Sequence, residues 1–272
     1  MKQRAKNGGN DEYFTKVEVA RKCISELISL VGDDFLFIEP SAGAGSFITE
    51  LTPRIIGYDI NPKVDGVIRG NWFDVNVPSG CIVIGNPPFG FAASLAIKFF
   101  NHAATGARYI GFIVPRTFRK VSVQGKLDLN FWLIHDVDIE RNSFLVDGVE
   151  YDVPCCFQIW ERRVERRGIV GEVEAVVEFV DPLEAEFCVR RVGGRAGQLL
   201  EGLEHSVSST YFCKAKFWWV KDAIRDLDLS FVNNTAGVRS ISKYELQSKL
   251  LEIGVSKYGH VPKCVVSTGS KG

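Results

Sequence analysis

The sequence predicts an α/β fold: a mostly parallel sheet with an antiparallel hairpin at its end, followed by a small α+β domain. Three observations carry that prediction. Between residues 16 and 114, short apolar runs alternate with stretches of helical periodicity, the pattern of parallel strands joined by crossover helices. Asp147-Gly148 then separates two strand-like runs, and this dipeptide tolerates the positive φ pair that a tight hairpin turn requires. Finally, the charged run Arg162-Arg163-Val164-Glu165-Arg166-Arg167-Gly168 interrupts both patterns. It places a boundary between an expected first domain, residues 1–165, and a second, residues 166–272.

Taken in order, a first helix is expected over residues 16–31, with Thr15-Lys16-Val17-Glu18 read as a capping box and Gly32 as the stop. Phe35-Leu36-Phe37-Ile38 reads as a buried strand running into the loop Glu39-Pro40-Ser41-Ala42-Gly43-Ala44-Gly45-Ser46-Phe47, with a short helix over 46–51. Further strands are expected at 55–60, 66–69, 81–85 and 109–114, with a helix over 92–104. The hairpin is expected to have two long arms, 132–144 and 149–160. Beyond the boundary, strand-like pieces at 186–191 and 209–215 precede a helix at 221–227. A final helix opens at Ser242-Lys243-Tyr244-Glu245, a second capping box, and the residues from about Ser267 read as a loose tail.

Composition narrows the class. At 46% hydrophobic and 24% charged residues the chain can bury a core, which excludes disordered and low-complexity classes. No apolar run approaches the ~18 residues of a membrane span, and the basic N-terminus has no apolar stretch behind it. A soluble, cytoplasmic protein with no membrane partner is expected. The seven cysteines are odd in number, sit mostly in apolar runs and form no C-x-x-C pair, while the four histidines are scattered. Buried free thiols are therefore expected, and no metal. Basic and acidic residues balance at 33 each, but unevenly: residues 31–184 carry 14 basic and 21 acidic, and residues 185–272 carry 13 and 8. A basic final third suits either a polyanionic partner or a plain solvated face.

Two loops carry the chemistry. Both begin where an apolar strand stops, so both should open onto the carboxyl edge of the sheet, where such folds bind ligands. In the first, Gly43 and Gly45 permit a tight turn and close approach of a bound group to the backbone. Asp59 ends the following strand, where an acidic side chain takes up ribose hydroxyls. No G-x-x-x-x-G-K-[ST] is present, and Ile48 stands where the third glycine of G-x-G-x-x-G would fall, so a pyrophosphate cofactor is disfavoured. In the second loop, Asn86-Pro87-Pro88-Phe89, consecutive prolines fix φ and hold Asn86 extended. The Asn86 side-chain oxygen and a main-chain carbonyl then face a common point, and an aromatic ring follows. A rigid acceptor pair beside a ring suits a planar group bearing an NH₂.

Together these motifs resemble those of the S-adenosylmethionine-dependent methyltransferases that act on amino groups, above all the N6-adenine methyltransferases. Residues 39–47 look like their cofactor loop and Asn86-Pro87-Pro88-Phe89 like their catalytic tetrapeptide, in that order and about 40 residues apart. Tyr13-Phe14-Thr15 is similar to their N-terminal cofactor motif, and Asp74 matches the position that meets the cofactor's adenine. The resemblance covers roughly residues 10–160, and the motif order resembles the gamma class. It implies a Rossmann-like methyltransferase domain with S-adenosylmethionine as cofactor. It also implies Asn86, Pro87, Pro88 and Phe89 as catalytic residues. Tyr13, Thr15, Glu39, Ser41, Gly43, Gly45, Phe47, Asp59, Ile60, Asp74 and Asn86 are implied against the cofactor. Phe89 would stack on the target base and Phe144 on its opposite face, although Phe144 also reads as hairpin core and Thr15 as a helix cap. The implied activity is methylation of the N6 amine of adenine in nucleic acid, DNA ahead of RNA, with the base flipped into the pocket. The alternative is an RNA or cap-adenosine N6 methyltransferase. A protein-glutamine methyltransferase, whose tetrapeptide usually ends in tyrosine, and a non-catalytic nucleic-acid-binding relative rank below it. A bacterial or phage setting, a cognate restriction enzyme as further partner and a monomeric state complete what the resemblance implies.

In the final third, Arg190-Arg191-Val192-Gly193-Gly194-Arg195 and the segment from Asn233 to Ser240 with Arg239, just ahead of Lys243, combine guanidiniums, glycines and a helix start. Arg190, Arg191, Arg195, Arg239 and Lys243 are the expected phosphate contacts, with ordinary surface loops as the competing reading.

Overall fold

The computed structural model describes residues 13–167, 174–235 and 238–262. The expected loose tail from Ser267, Gly168 at the end of the charged break, and Ala236-Gly237 lie outside the described residues. The chain divides into two compact units, residues 1–167 and 168–272.

The first unit runs β1 (Phe14–Thr15), α1 (Val17–Val31), β2 (Phe37–Glu39), α2 (Ser46–Leu51), β3 (Ile55–Asp59), β4 (Ile68–Arg69), β5 (Ile82–Gly85), α3 (Ser94–Ala103), β6 (Tyr109–Pro115), α4 (Val121–Gln124), β7 (Phe131–Asp138), β8 (Phe144–Val146), β9 (Val149–Tyr151) and β10 (Cys155–Arg162). Its main sheet has the order β4-β3-β2-β5-β6-β10-β7. The strands from β4 to β6 are parallel, and β10 enters antiparallel between β6 and β7. The chain builds outward from β2 to β4, then crosses back to place β5 on the other side of β2. That reversal opens a crevice at the carboxyl ends of β2 and β5.

Pleating explains the two apolar layers. Val83 faces one layer with Ile38, Ile110, Phe112 and Val114, while Ile82 and Ile84 face the other with Phe37, Ile113 and Phe157. The first layer is covered by α3 through Ala96, Phe99, Phe100 and Ala103, and the second by α1 through Ala20, Cys23, Ile24 and Leu27. Both sets recur at i, i+3, i+4 and i+7, so each helix has one apolar stripe to bury. Each fully buried Phe, Ile or Leu contributes roughly 1.5–3 kcal/mol, which makes the centre of this sheet the rigid part of the unit.

Two local expectations change. The N-cap of α1 is Lys16, with no side-chain cap bond, and Thr15 belongs to β1, paired with Phe144 of β8. The capping box does not form because strand pairing claims Thr15 first. The long hairpin arms are each broken in two. β7 and β10 pair in the main sheet, while β8 and β9 leave it, join β1 in a three-stranded sheet, and turn at Asp147-Gly148 with φ of 50° and 76°. Asn142 at φ 58° and Pro154 sit at the two breaks. Neither suits a continuous central strand.

The second unit has the sheet order β11-β14-β12-β13, all antiparallel, where β11 is Val177–Phe179, β12 Phe187–Arg190, β13 Leu199–Leu200 and β14 Thr210–Ala215. Helices α5 (Val220–Arg225) and α6 (Lys243–Tyr258) share its core. The capping box of α6 forms: Ser242 Oγ accepts from the Glu245 amide at 3.1 Å, and Glu245 Oε2 accepts from the Ser242 amide at 2.7 Å. Strand β11 is anchored by Gln247, whose buried Oε1 accepts from the Val176 and Val177 amides at 2.8 and 3.0 Å. All six described cysteines are buried and free; Cys264 lies outside the described residues. Burial raises the thiol pKa values, that of Cys156 to about 12, so these side chains act as small apolar fillers. Among the described residues no helix is long and apolar enough to cross a membrane, and no group of three or more His, Cys, Asp or Glu is placed to hold a metal ion.

Candidate functional site

The crevice between β2 and β5 opens into a cavity of about 260 Å³, walled by both motif loops. From the first come Glu39, Ser41, Gly43, Ser46 and Phe47, and from the second Asn86, Pro87, Pro88 and Phe89. The two loops are tied directly, since Ser41 Oγ donates to the Asn86 carbonyl at 3.1 Å. Residues separated by 45 positions are thereby held side by side.

Backbone conformation explains the glycines. Gly43 has φ 49°, and a Cβ there would lie 3.1 Å from Phe14 Cδ1; Gly45 has φ 79°, and a Cβ would lie 2.8 Å from Val64 Cγ2. Each needs both the left-handed region and the missing side chain. Asp59, at the end of β3, secures the loop: Oδ2 accepts from the Gly43 amide at 2.8 Å and Oδ1 from the Asn61 amide at 2.7 Å. Each carboxylate oxygen keeps a second lone pair for a ligand hydroxyl. Asp59 therefore has a structural duty beside the expected binding one.

On the other side, Asn86 Nδ2 donates to the Tyr13 carbonyl at 3.0 Å. A carbonyl can only accept, so this bond fixes which end of the amide is nitrogen and turns Oδ1 the other way. Asn86 Oδ1 is buried without a partner, and so are Thr15 Oγ1 and Glu39 Oε2. A buried acceptor left unpaired costs about 1–3 kcal/mol, and these three belong to residues lining one cavity. Such a lining fits a ligand rich in N–H and O–H donors. Glu39 is 2% exposed. Burial, and next the nearby Asp59 carboxylate, push its pKa well above the ordinary carboxylate value. In the unfolded chain Glu39 would titrate at its usual value of about 4.5. The folded form holds its proton to higher pH, so the contribution to stability is full below that value and is lost as pH rises through the folded pKa. Glu39→Gln is accordingly expected to gain melting temperature relative to wild type as pH goes from 4.5 to 8 in ligand-free protein. Differential scanning calorimetry across that range checks it, and a pH-independent difference would contradict the assignment.

The other expected residues divide. Tyr13, Thr15, Ser41, Phe47 and Ile60 line the cavity. Asp74 does not: it is exposed and outside the lining, while Asn71, Trp72 and Phe73 of the same turn face inward. Asp74 ends the short 3₁₀ turn Trp72–Asp74, whose other two members carry the apolar face: Trp72 is buried and Phe73 rests edge-on against Phe99 at 5.2 Å. Phe144 is likewise not on the lining; it is 0% exposed and meets Tyr13 at a tilt of 66°. Its position in β8, opposite Thr15, makes it hairpin core. The accessible aromatic of that hairpin is Tyr151, which stacks on Tyr13 at 5.4 Å and 29°, and Phe89 also stacks on Tyr13, at 6.2 Å and 25°. Lys63, Asn71, Phe73, Leu95 and Phe99 also line the cavity without having been expected, and so does Phe14 of the N-terminal motif. A hydrophobic turn after β4 was visible in Trp72-Phe73, but nothing in the sequence points Leu95 and Phe99 at the pocket rather than the core.

In the second unit the two arginine-bearing segments meet. Val192 bridges Ser240, the Gly193 amide donates to the Arg239 carbonyl at 2.9 Å, and the Ile241 amide to the Arg191 carbonyl at 3.0 Å. Arg191 lies over the Tyr211 ring at 5.9 Å and Lys243 over Phe179 at 4.6 Å, and the two rings touch at 5.2 Å. Among the described residues none of Arg190, Arg191, Arg195, Arg239 and Lys243 has an ion-pair partner, whereas Lys214, Arg225, Lys249 and Lys257 of the same unit do. Arg190 instead donates to Ser209 Oγ at 2.8 Å.

No family model matches the sequence, and neither does any curated protein. Among solved structures the chain is similar to PH1948 of Pyrococcus horikoshii, provisionally named an RNA methyltransferase, at 17% identity and a TM-score of 0.46, over 60% of this chain and 93% of that one. It is also similar to the 23S rRNA methyltransferase ErmE, at 17% identity and 0.40, over 56% and 71% of the two chains. A third likeness is to the magnesium protoporphyrin IX methyltransferase of Synechocystis PCC 6803 with bound S-adenosylmethionine, at 14% and 0.43, over 54% and 79%. All three fall below 20% identity and below a TM-score of 0.5, so any functional reading has to rest on the site's own geometry.

Proposed function

We propose that the protein is an S-adenosylmethionine-dependent methyltransferase that modifies the exocyclic N6 amine of adenine in nucleic acid, DNA ahead of RNA. The observation that carries this reading is the Ser41–Asn86 tie. It sets the unpaired Asn86 Oδ1 and the Asp59-anchored glycine loop in one cavity.

When bound, S-adenosylmethionine supplies an electrophilic methyl group on a sulfonium. The residues present fit it: Asp59 has lone pairs left for ribose hydroxyls, Ile60, Phe73 and Phe99 offer apolar surface for an adenine ring, and Glu39 Oε2 is a buried acceptor for an ammonium. On the substrate side, the lone pair of an aromatic amine is delocalised into its ring, so the nitrogen attacks poorly. Asn86 Oδ1, together with the Pro87 carbonyl, would accept its two hydrogens and favour a pyramidal nitrogen whose lone pair points at the carbon. The amine proton leaves to solvent once the C–N bond is forming, so a strong base is not needed. The work is positioning and acceptors already in place. Phe89 would hold the base plane.

The unpaired cations of the second unit would grip phosphates. The double charge reversal Arg191→Glu with Arg195→Glu is expected to weaken DNA binding at least about tenfold and to lower the slope of log K against log salt by about 2. Fluorescence anisotropy at several salt concentrations measures both, and an unchanged slope would move the contact surface elsewhere. The function as a whole is tested by labelled-methyl transfer to DNA, RNA and a protein mixture in parallel. Label in DNA supports the reading, label in RNA alone favours the adenosine-in-RNA alternative, and label in protein alone rejects both.

A further inference from the structure

Phe91 follows the tetrapeptide after a single glycine, and at 93% exposure it is the most exposed aromatic ring among the described residues. It lies between two cavity-lining residues, Phe89 and Leu95, so its loop forms part of the rim. The backbone that presents it is strained. Gly90 has φ 68°, Ala92 φ 50° and Ala93 φ 63°, and alanine enters the left-handed region only against the crowding of its Cβ. The loop is nonetheless closed and anchored: the Leu95 and Ala96 amides donate to the Phe89 carbonyl at 3.1 and 3.2 Å, and Ala93 is buried. An apolar ring is thus held out in water, on a fixed stalk, beside the mouth of the cavity. Packing within the protein does not explain it, because the ring packs on almost nothing.

We infer that Phe91 is a wedge that enters the base stack of a double-stranded DNA and fills the gap left by the nucleotide turned into the cavity. The inference rests on the proposed reaction and deepens it, since it specifies a duplex substrate. Turning a base out of a duplex costs its stacking and pairing and leaves an apolar slot between two base faces. Phe91 has the matching attributes: planar, apolar, without hydrogen-bonding groups that would read a sequence, and with its whole surface still to be buried. Side chains of this kind stabilise distorted duplexes by taking the place of a stacked neighbour. Phe89, two residues away inside the cavity, would receive the base that Phe91 replaces.

The test compares wild type and Phe91→Ala on a single-stranded circular phage DNA free of adenine methylation and on the double-stranded circle of the same sequence. The wedge predicts that the variant loses about tenfold or more on the duplex and less than about twofold on the single strand, where there is no stack to open. S-adenosylmethionine affinity by calorimetry and melting temperature should be unchanged, and Phe91→Trp should restore duplex activity. Equal loss on both DNAs, or no loss on either, would overturn the wedge while leaving the proposed reaction standing. Absence of methyl transfer by wild type to both DNAs would overturn DNA as the substrate, and the wedge with it.

Discussion

Asn86→Ala is expected to lower methyl transfer by about 10²–10³-fold, the usual cost of removing one preorganised polar group from a reacting centre, while S-adenosylmethionine affinity stays within about twofold of wild type. The separation of the two effects follows from geometry. The tie between the loops runs from Ser41 Oγ to the Asn86 main-chain carbonyl, which alanine retains. What alanine removes is the Oδ1 acceptor, and with it the Nδ2 bond to the Tyr13 carbonyl. Asn86→Asp gives a finer reading. It keeps an acceptor but sets a carboxylate oxygen against the Tyr13 carbonyl, two acceptors facing one another, so its activity should fall between wild type and the alanine variant. Single-turnover rates at saturating cofactor, with calorimetry for affinity, check both. An alanine variant that keeps more than about a tenth of wild-type activity would mean that Asn86 does not hold the reacting amine.

Asp59→Ala should show the opposite pattern: cofactor affinity falls by about 10–100-fold, and the rate at saturating cofactor falls much less. Two losses add. The lone pairs proposed to meet the ribose hydroxyls disappear, and the amides of Gly43 and Asn61 lose their shared acceptor. Hydrogen bonds to a charged group are worth about 1.5–3 kcal/mol each when well buried; Asp59 is half-buried, so about 2 kcal/mol of stability in total is the reasonable expectation. Asp59→Asn retains one acceptor oxygen and presents an NH₂ to the other amide, so it should lose less affinity than alanine. A melting shift with unchanged cofactor affinity would show that Asp59 only braces the glycine loop.

How much of this was legible in the sequence depends on how local each cause is. The two motif loops and their common edge are legible because a buried parallel strand is a continuous apolar run with an abrupt end, as at Glu39 and Gly85. The Ser41–Asn86 tie follows from topology, since β2 and β5 are neighbours through the crossover. The hairpin is half legible. Asp147-Gly148 marks the turn, but the apolar alternation of residues 132–144 continues past the point where Asn142 at φ 58° bends the chain out of the main sheet. The missed bend is why Phe144 looked available to a base and Tyr151 did not. β1 is two residues long and exists only because β8 pairs with it, and no local pattern could separate Thr15 in a strand from Thr15 as a cap. Asp74 stands one residue beyond the part of its turn that faces the cavity, an offset smaller than a sequence reading can place. The arginine clusters are visible as composition, but their meeting through Val192 and Ser240 is long-range pairing that charge patterning does not reveal.

In the proposed reaction the acceptor at Asn86 and the glycine-lined half of one cavity bring an aromatic amine to an activated methyl group. The measurement that reaches it most directly is nucleoside analysis of DNA after incubation with the protein and methyl-labelled S-adenosylmethionine. Wild type is expected to leave the label in N6-methyl-2′-deoxyadenosine, and Asn86→Ala almost none. Label on a ring carbon or a sugar oxygen, or label in the adenine amine that is undiminished in the alanine variant, would contradict it.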